Sequence, residues 1–171
     1  MKIEFDIDLT GKGITVNGVP CHIDSDNGMY DLHRAIEDYL RVTAERLDGT
    51  FNKGVFWPAE LDYLVAWTLR TRYLMRPTDH FIQRAQENRL PRGCYTAMLY
   101  GEVVEAVVSH GRVMKMVTRL PNRMRPGQDI CAAIEFGTIA DQAIATAVTV
   151  WTNSSTDTHS TINKSKYVQN F

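Results

Sequence analysis

Residues 102–120 read EVVEAVVSHGRVMKMVTRL and decide the fold. Two runs rich in valine and methionine flank the short polar turn Ser109-His110-Gly111, a pattern typical of an antiparallel pair of strands. Two further apolar runs follow at residues 129–139 and 143–151. Together these four runs predict a four-stranded antiparallel meander.

The chain before the meander is predicted to be largely helical. Apolar residues recur at helical spacing over residues 29–47 and 58–75. Residues that favour helix starts and ends delimit two further helices at 79–88 and 91–100. We therefore expect an α+β fold, in which helices pack on one face of the four-stranded sheet.

Three parts are expected along the chain. Residues 3–9 alternate apolar and acidic side chains, and Asn17-Gly18 favours a tight turn, so an N-terminal β-hairpin is predicted. The hairpin and the first two helices form an extension over residues 1–75, followed by an α+β domain over 76–151. A polar tail occupies 152–171 and is expected to be a surface loop or partly disordered.

The charge is unevenly distributed. The chain has 171 residues, 44% of them apolar, and a formal net charge of −1, which excludes collagen-like and low-complexity proteins. Residues 1–69 carry a balance of −6, residues 70–125 carry +7 and residues 126–171 carry −2. The basic middle predicts a local anion site. The alternative is a basic face that pairs with the acidic first part of the same chain.

Compartment and cofactors are inferred from segments that the sequence lacks. No apolar run reaches the roughly 18 residues of a membrane span, and the acidic start does not resemble a signal peptide. Cys21, Cys94 and Cys131 are far apart, as expected for reduced thiols. We expect a cytoplasmic protein without membrane association. The histidines and cysteines lack zinc-site spacing, so no metal or cofactor is expected.

His80 and Arg84 are the first candidate catalytic residues. They lie four residues apart and therefore share one face of the third predicted helix. Cleavage of RNA without metal requires a base for the 2′-hydroxyl and a cation for the phosphate, roles that suit histidine and arginine. The alternative is that His80 is a surface residue near the helix start and that Arg84 contacts Asp79 or the helix end.

The second predicted strand is amphipathic. Lys115 and Arg119 share one face with Val117, whereas Met114 and Met116 lie on the other. The methionine side is expected to pack under the helices, and the cationic side is predicted to line an open sheet face that binds phosphate. An ordinary solvent-facing strand is equally compatible with this pattern.

The last strand and the tail supply the remaining candidates. Thr149 is predicted to join the catalytic group, and His159 in the tail is expected to lie beside it and to act as the acid. The predicted substrate-binding residues are cationic, aromatic or amide side chains, namely Arg112, Arg119, Trp151 and Asn153. The alternative is a flexible polar tail without a role.

Several short segments resemble one family of ribonucleases. HFIQR at 80–84, NRLP at 88–91 and AMLYGEVVE at 97–105 resemble the opening of small RelE-like toxin and phage endoribonuclease domains. These domains belong to the barnase–EndoU–colicin–RelE group of metal-independent ribonucleases, whose closing strand is similar to VTVW at 148–151. The resemblance covers residues 77–151. It implies an endoribonuclease that cleaves single-stranded RNA by 2′-hydroxyl attack, with a protein antitoxin as a candidate partner.

Two other functions remain open. One is a non-enzymatic phage or mobile-element protein that binds and modulates a host protein on a ribonuclease-like scaffold, with the acidic first 69 residues as the docking surface. The other is a nucleic-acid-binding module without cleavage, in which Trp57, Trp67 and Trp151 stack on bases. Convergence of His80, Lys115 and Thr149 is the feature expected for catalysis. The sequence does not define the oligomeric state.

Overall fold

The computed structural model of the protein describes residues 5–8, 13–16, 19–22, 34, 37–38, 40–91, 94–157 and 164–169. Near the N-terminus, β1 (Phe5–Asp8), β2 (Gly13–Val16) and β3 (Val19–His22) form a three-stranded antiparallel sheet in that order. The predicted hairpin is therefore part of a slightly larger sheet.

The main sheet has six strands. They are β4 (Gly49–Asn52), β5 (Leu74–Pro77), β6 (Glu102–Ser109), β7 (Arg112–Pro121), β8 (Gln128–Ile139) and β9 (Gln142–Ser154). Their spatial order is β4-β6-β7-β8-β9-β5, and only β5 runs parallel to its neighbour. The fold is thus α+β, built on a six-stranded mixed sheet.

The predicted four-stranded meander is present as β6 to β9, but it is not the whole sheet. Strand β4 follows the predicted helix 29–47, and β5 overlaps the end of the predicted helix 58–75. Each is a four-residue edge strand without a clear apolar alternation, so local periodicity does not reveal it. The sheet therefore draws strands from both sides of residue 75.

Three helices are described in full. They are α1 (Ala59–Leu69), α2 (Asp79–Glu87) and α3 (Cys94–Met98), and residues 40–44 are also helical. Helix α2 matches the predicted segment closely because Thr78 caps it, its hydroxyl accepting a hydrogen bond of 3.0 Å from the Phe81 N–H. Helix α3 is shorter than the predicted 91–100, and α1 ends at Leu69.

One core joins the helices to the sheet. Leu61 of α1, Phe81 of α2 and Met98 of α3 pack in the same cluster as Met116 and Ile134. We call this side of the sheet the helical face. Met116 is only 1% exposed, which confirms that the methionine side of β7 packs under the helices. Burying a side chain of this size contributes about 1.5–3 kcal/mol.

Met114 departs from this pattern. Val107 of β6 pairs with Lys115, but the next residue, Val108, pairs with Val113. Met114 is therefore an extra residue of β7 between these two pairs. Such a β-bulge redirects the side chain of the extra residue. Met114 is consequently exposed at the end of the sheet, although simple alternation places it beside Met116.

Part of the C-terminal tail is anchored to the sheet. Tyr167 pairs in parallel with Thr50 of β4, and the Val168 N–H donates a hydrogen bond of 2.8 Å to the Thr50 carbonyl. Tyr167 is buried, and Val168 contacts the main core. Residues 164–169 belong to the segment that the sequence analysis expects to be a surface loop or partly disordered, and here two apolar side chains attach them to the sheet.

No helix in the described ranges has the length and apolar character that a membrane crossing requires.

Candidate functional site

The cations predicted to bind phosphate lie opposite the helices. Lys115, Val117 and Arg119 alternate with Met116, and Val117 packs with Val104 and Ala133 in a separate small apolar cluster. We call this side of the sheet the second face. It carries the charged residues that the sequence analysis placed on an open surface.

Each of these cations is paired with a carboxylate. Lys115 Nζ lies 3.2 Å from Glu135 Oε1, and Arg119 Nε lies 2.7 Å from Glu102 Oε2. Arg119 Nη1 is also 3.6 Å from Asp129 Oδ2. The Arg119 hydrogen bond lowers the pKa of Glu102, which favours the charged pair. The second face is therefore a set of neutralised charges rather than a cationic surface.

A buried polar contact closes the second face beside β4. Glu105 is 8% exposed, and its carboxylate accepts a hydrogen bond from the Tyr167 hydroxyl. Asn52, which is fully buried, pairs with Glu105 across β4 and β6. A buried carboxylate requires such partners, because burying it alone is costly. This part of the face is structural.

His80 and Arg84 lie elsewhere. Both side chains are exposed on α2, whose buried residues Phe81 and Ala85 pack against the helical face. The sheet therefore lies between α2 and Lys115, and the structure does not bring His80 and Lys115 together. The reason is the alternation of β7: because Met116 fills the core, Lys115 projects away from the helices. Arg84 Nη1 is 2.9 Å from Glu87 Oε2, and this contact lowers the pKa of Glu87.

The last strand places its candidate residues on the second face. Thr149 pairs with Ala133, and Trp151 packs against the small cluster that contains Ala133. Asn153 donates a hydrogen bond of 3.2 Å to Asp157. Trp151 and Asn153 thus have structural contacts. His159 lies outside the described residues.

Cys131 of β8 is the cysteine whose side chain the described residues include. Cys131 is buried, and burial, reinforced by the charge of Asp129, raises the pKa of its thiol to about 12. The thiol is therefore protonated at neutral pH and is a poor nucleophile. In the described ranges, no group of three or more His, Cys, Asp and Glu side chains is arranged to hold a metal ion.

A groove lined by aromatic side chains lies at one end of the main sheet. It has a volume of about 470 Å³ and is bounded by the helical segment at 40–44, helix α1, the β6–β7 turn and the β8–β9 turn. We call it the aromatic groove. The β6–β7 turn lies close to Glu45, which follows the helical segment. A Cβ atom on Gly111 would lie 2.7 Å from the Glu45 Cα, so only glycine fits at this position.

The groove is lined by four aromatic rings. Tyr63 and Trp67 lie four residues apart on one side of α1, with ring centroids 6.2 Å apart and planes at 30°. Tyr73 and Phe136 form a second pair, 4.9 Å apart. Trp67 is 51% exposed, so a large apolar ring faces the solvent at the rim. Burial raises the pKa of Tyr63, and its phenol remains a neutral hydrogen-bonding group.

Charged side chains of both signs border these rings, and Glu45 lines the groove beside Arg41 and Arg112. Arg112 and Arg41 line the groove, and the Arg70 guanidinium lies 5.6 Å from the Trp67 ring centroid. Arg41 pairs with Glu45 at 3.0 Å, and Arg70 lies 3.9 Å from Glu37 Oε1. Arg112 makes no ion pair within the described ranges. Rings with an available guanidinium are the groups that proteins use to stack bases and bind phosphates of single strands.

The sequence analysis named Arg112 and Trp67 separately and missed the groove. The spacing of Tyr63 and Trp67, four residues apart on a helix, is a signal that could have placed two rings side by side. Phe136 and Tyr73 carry no such signal, because they meet only through the pairing of β5, β9 and β8.

No protein family model matches the chain, and no curated protein or solved structure matches it.

Proposed function

We propose that this protein binds single-stranded RNA in the aromatic groove. The observation that carries the proposal is the juxtaposition of the half-exposed Trp67 ring with Arg112, a cation without an ion pair in the described ranges. The groove volume of about 470 Å³ falls within the range of ordinary ligand sites.

Two features favour RNA over a protein partner. The resemblance of residues 77–151 to metal-independent ribonucleases makes RNA the expected ligand. In addition, bases stack on aromatic rings irrespective of sequence. The Thr71 hydroxyl and the Arg112 guanidinium at the groove suit a polar, anionic chain.

The test is a titration of fluorescently labelled single-stranded RNA with the wild-type protein and Trp67→Ala. Stacking contributes about 1–3 kcal/mol per base, so Trp67→Ala is expected to weaken binding about fivefold or more. Tyr100→Ala is the matched control, because Tyr100 is an exposed aromatic residue outside the groove. Absence of RNA binding by the wild type, or equal affinities of the wild type and Trp67→Ala, would contradict the proposal.

RNA cleavage is a second candidate function, supported by the position of α2. The Thr78 hydroxyl donates a hydrogen bond of 2.9 Å to the Val148 carbonyl of β9. This bond holds the first turn of α2, which carries the exposed His80, beside β9. Such a site includes neither Lys115 nor the Thr149 side chain, because both lie on the second face.

Cleavage is tested by incubating labelled RNA with wild-type protein and His80→Ala in the presence of EDTA. We expect wild-type cleavage to survive the chelator and His80→Ala to lose it with little change in melting temperature, because the side chain is exposed. If the wild-type protein leaves the labelled RNA intact, cleavage is ruled out and RNA binding remains as the proposed function. Full cleavage by His80→Ala would remove His80 from the mechanism.

A further inference from the structure

The turn after helix α2 holds an arginine in a conformation that favours glycine. Arg89 has φ 55°, in the left-handed region. The Leu90 N–H donates to the Ala85 carbonyl at 2.8 Å, and the Arg89 N–H donates to the Gln86 carbonyl at 2.9 Å. These two bonds define a Schellman motif, whose left-handed position is usually glycine. An arginine there is strained, and such strain often accompanies a functional side chain.

Arg89 borders a small pocket together with a second arginine. The pocket has a volume of about 210 Å³ and is bounded by the α2–α3 connection and the β7–β8 loop. We call it the arginine pocket. Arg89 and Arg125 line it, with Asn88, Asn122 and Met124. It lies at the end of the sheet opposite the aromatic groove, since β7 runs from one to the other.

The charge of the arginine pocket is not balanced locally. No carboxylate is among its lining residues, and neither Arg89 nor Arg125 makes an ion pair within the described part of the chain. This differs from the second face, where Lys115 and Arg119 each have a carboxylate partner. Two guanidinium groups without counter-charges are suited to an anion with several oxygens.

The loop that carries Arg125 is ordered by its own hydrogen bonds. The Asn122 side chain accepts a bond of 3.1 Å from the Met124 N–H, and the Arg125 N–H donates a bond of 3.0 Å to the Asn122 carbonyl. The Asn122 N–H in turn donates to the Gln128 carbonyl at 2.9 Å. The backbone at both Arg89 and Arg125 is therefore held by hydrogen bonds before a ligand binds, which reduces the entropic cost of binding.

We propose that the arginine pocket binds a phosphate monoester, and that on RNA this group is the terminal phosphate. A phosphate monoester carries a charge of about −1.5 to −2 at neutral pH, which two arginines match. This inference extends the proposed RNA binding and rests on it. Strand β7 separates groove and pocket by about 30 Å at 3.3 Å per residue. An oligonucleotide of about ten nucleotides reaches both, even at the 3.4 Å spacing of a stacked strand.

The experiment compares ten-nucleotide RNAs of one sequence that carry a 5′-phosphate, a 3′-phosphate or hydroxyls at both ends. We expect one of the phosphorylated RNAs to bind wild-type protein at least fivefold more tightly than the hydroxyl form. Arg89→Gly and Arg125→Ala should each abolish this preference. Arg123→Ala is the matched control, because it removes the same charge from the same loop without altering the pocket lining.

Arg89→Gly separates a lost contact from a damaged fold. Because glycine adopts the left-handed conformation without strain, this variant is expected to have an unchanged or higher melting temperature while it loses the phosphate preference. A phosphate preference that persists in Arg89→Gly overturns the proposal, as does equal affinity of wild-type protein for all three RNAs.

Titration with adenosine monophosphate distinguishes the pocket from the groove. Binding that Arg89→Gly abolishes and Trp67→Ala preserves supports the pocket. If the nucleotide binds in this way but no RNA binds, the proposed RNA function fails and the phosphate site stands. If RNA binds through Trp67 without regard to its terminal phosphate, the phosphate site fails and the RNA function stands.

Discussion

Strand β7 carries cations in two different settings. Lys115 and Arg119 project from the second face, where Glu135, Glu102 and Asp129 lie within 2.7–3.6 Å of them. Arg112, at the start of the same strand, borders the aromatic groove and makes no ion pair within the described ranges. Arg119 thus stabilises the sheet through its ion pairs, whereas Arg112 on the same strand remains available for a ligand. The difference arises because the neighbouring strands carry carboxylates beside Arg119.

The two regions also differ in what their contacts accomplish. On the second face, ion pairs, the Glu105–Tyr167 hydrogen bond and a small apolar cluster connect β4, β6, β7, β8 and the tail. In the aromatic groove, Trp67 and Met114 leave large apolar surfaces exposed. Exposed apolar surface bordered by polar groups is characteristic of binding sites. We therefore expect substitutions on the second face to change stability and substitutions in the groove to change RNA affinity.

The largest effect on stability is expected for Tyr167→Phe. The substitution removes a hydrogen bond to a buried carboxylate, and bonds to charged groups contribute about 1.5–3 kcal/mol. The free energy of unfolding, measured with urea, should fall by about 2 kcal/mol while RNA affinity is retained. Tyr100→Phe, at an exposed position, is the control. Unchanged stability of Tyr167→Phe would mean that the tail contact is dispensable.

A smaller effect, on affinity, distinguishes Arg112→Ala from Lys115→Ala. Each variant removes one positive charge from β7, but only Arg112 lines the groove. Arg112→Ala should weaken RNA binding several-fold and reduce the slope of log affinity against log salt by about 0.7, the value for one phosphate contact on a single strand. Lys115→Ala should leave that slope unchanged. Equal losses in both variants would show that the second face also binds RNA.

The smallest effect is expected for Glu102→Gln and depends on pH. Arg119 lowers the pKa of Glu102 in the folded protein below its value in the unfolded chain. The carboxylate therefore stabilises the fold above its ordinary pKa, and this contribution is lost as the pH falls through the lowered pKa. At pH 7 the variant should lose less than about 1 kcal/mol, because the side chain is partly exposed. Urea titrations at pH 7 and in acid should show the difference disappearing in acid.

Local patterns predicted much of the fold. The bounds of α2 follow from its cap and its apolar spacing, and β6 to β9 follow from β-branched runs between turns. Strands β4 and β5 could not be predicted in this way, because each is short and is defined by hydrogen bonds to a strand that lies more than 50 residues further along the chain. The anchoring of Tyr167 beside Thr50 has the same long-range origin.

The candidate site was predicted as a set of residues but not as an arrangement. Arg112 was expected to bind substrate and Trp67 to stack on bases, and the structure places both in one groove. The alternation of β7 correctly put Lys115 and Arg119 on one face. It could not show that Glu135 and Glu102 stand opposite them, since cross-strand partners depend on register.

By itself, the sequence determined strands β6 to β9, helix α2, the buried side of β7 and the excess of positive charge in residues 70–125. These depend on side-chain periodicity and composition, which each segment carries without reference to the rest. Only the tertiary structure decided which cations are neutralised and which aromatic rings meet. Those contacts join residues far apart in the chain, and they arise only after the sheet has set the order and register of its strands.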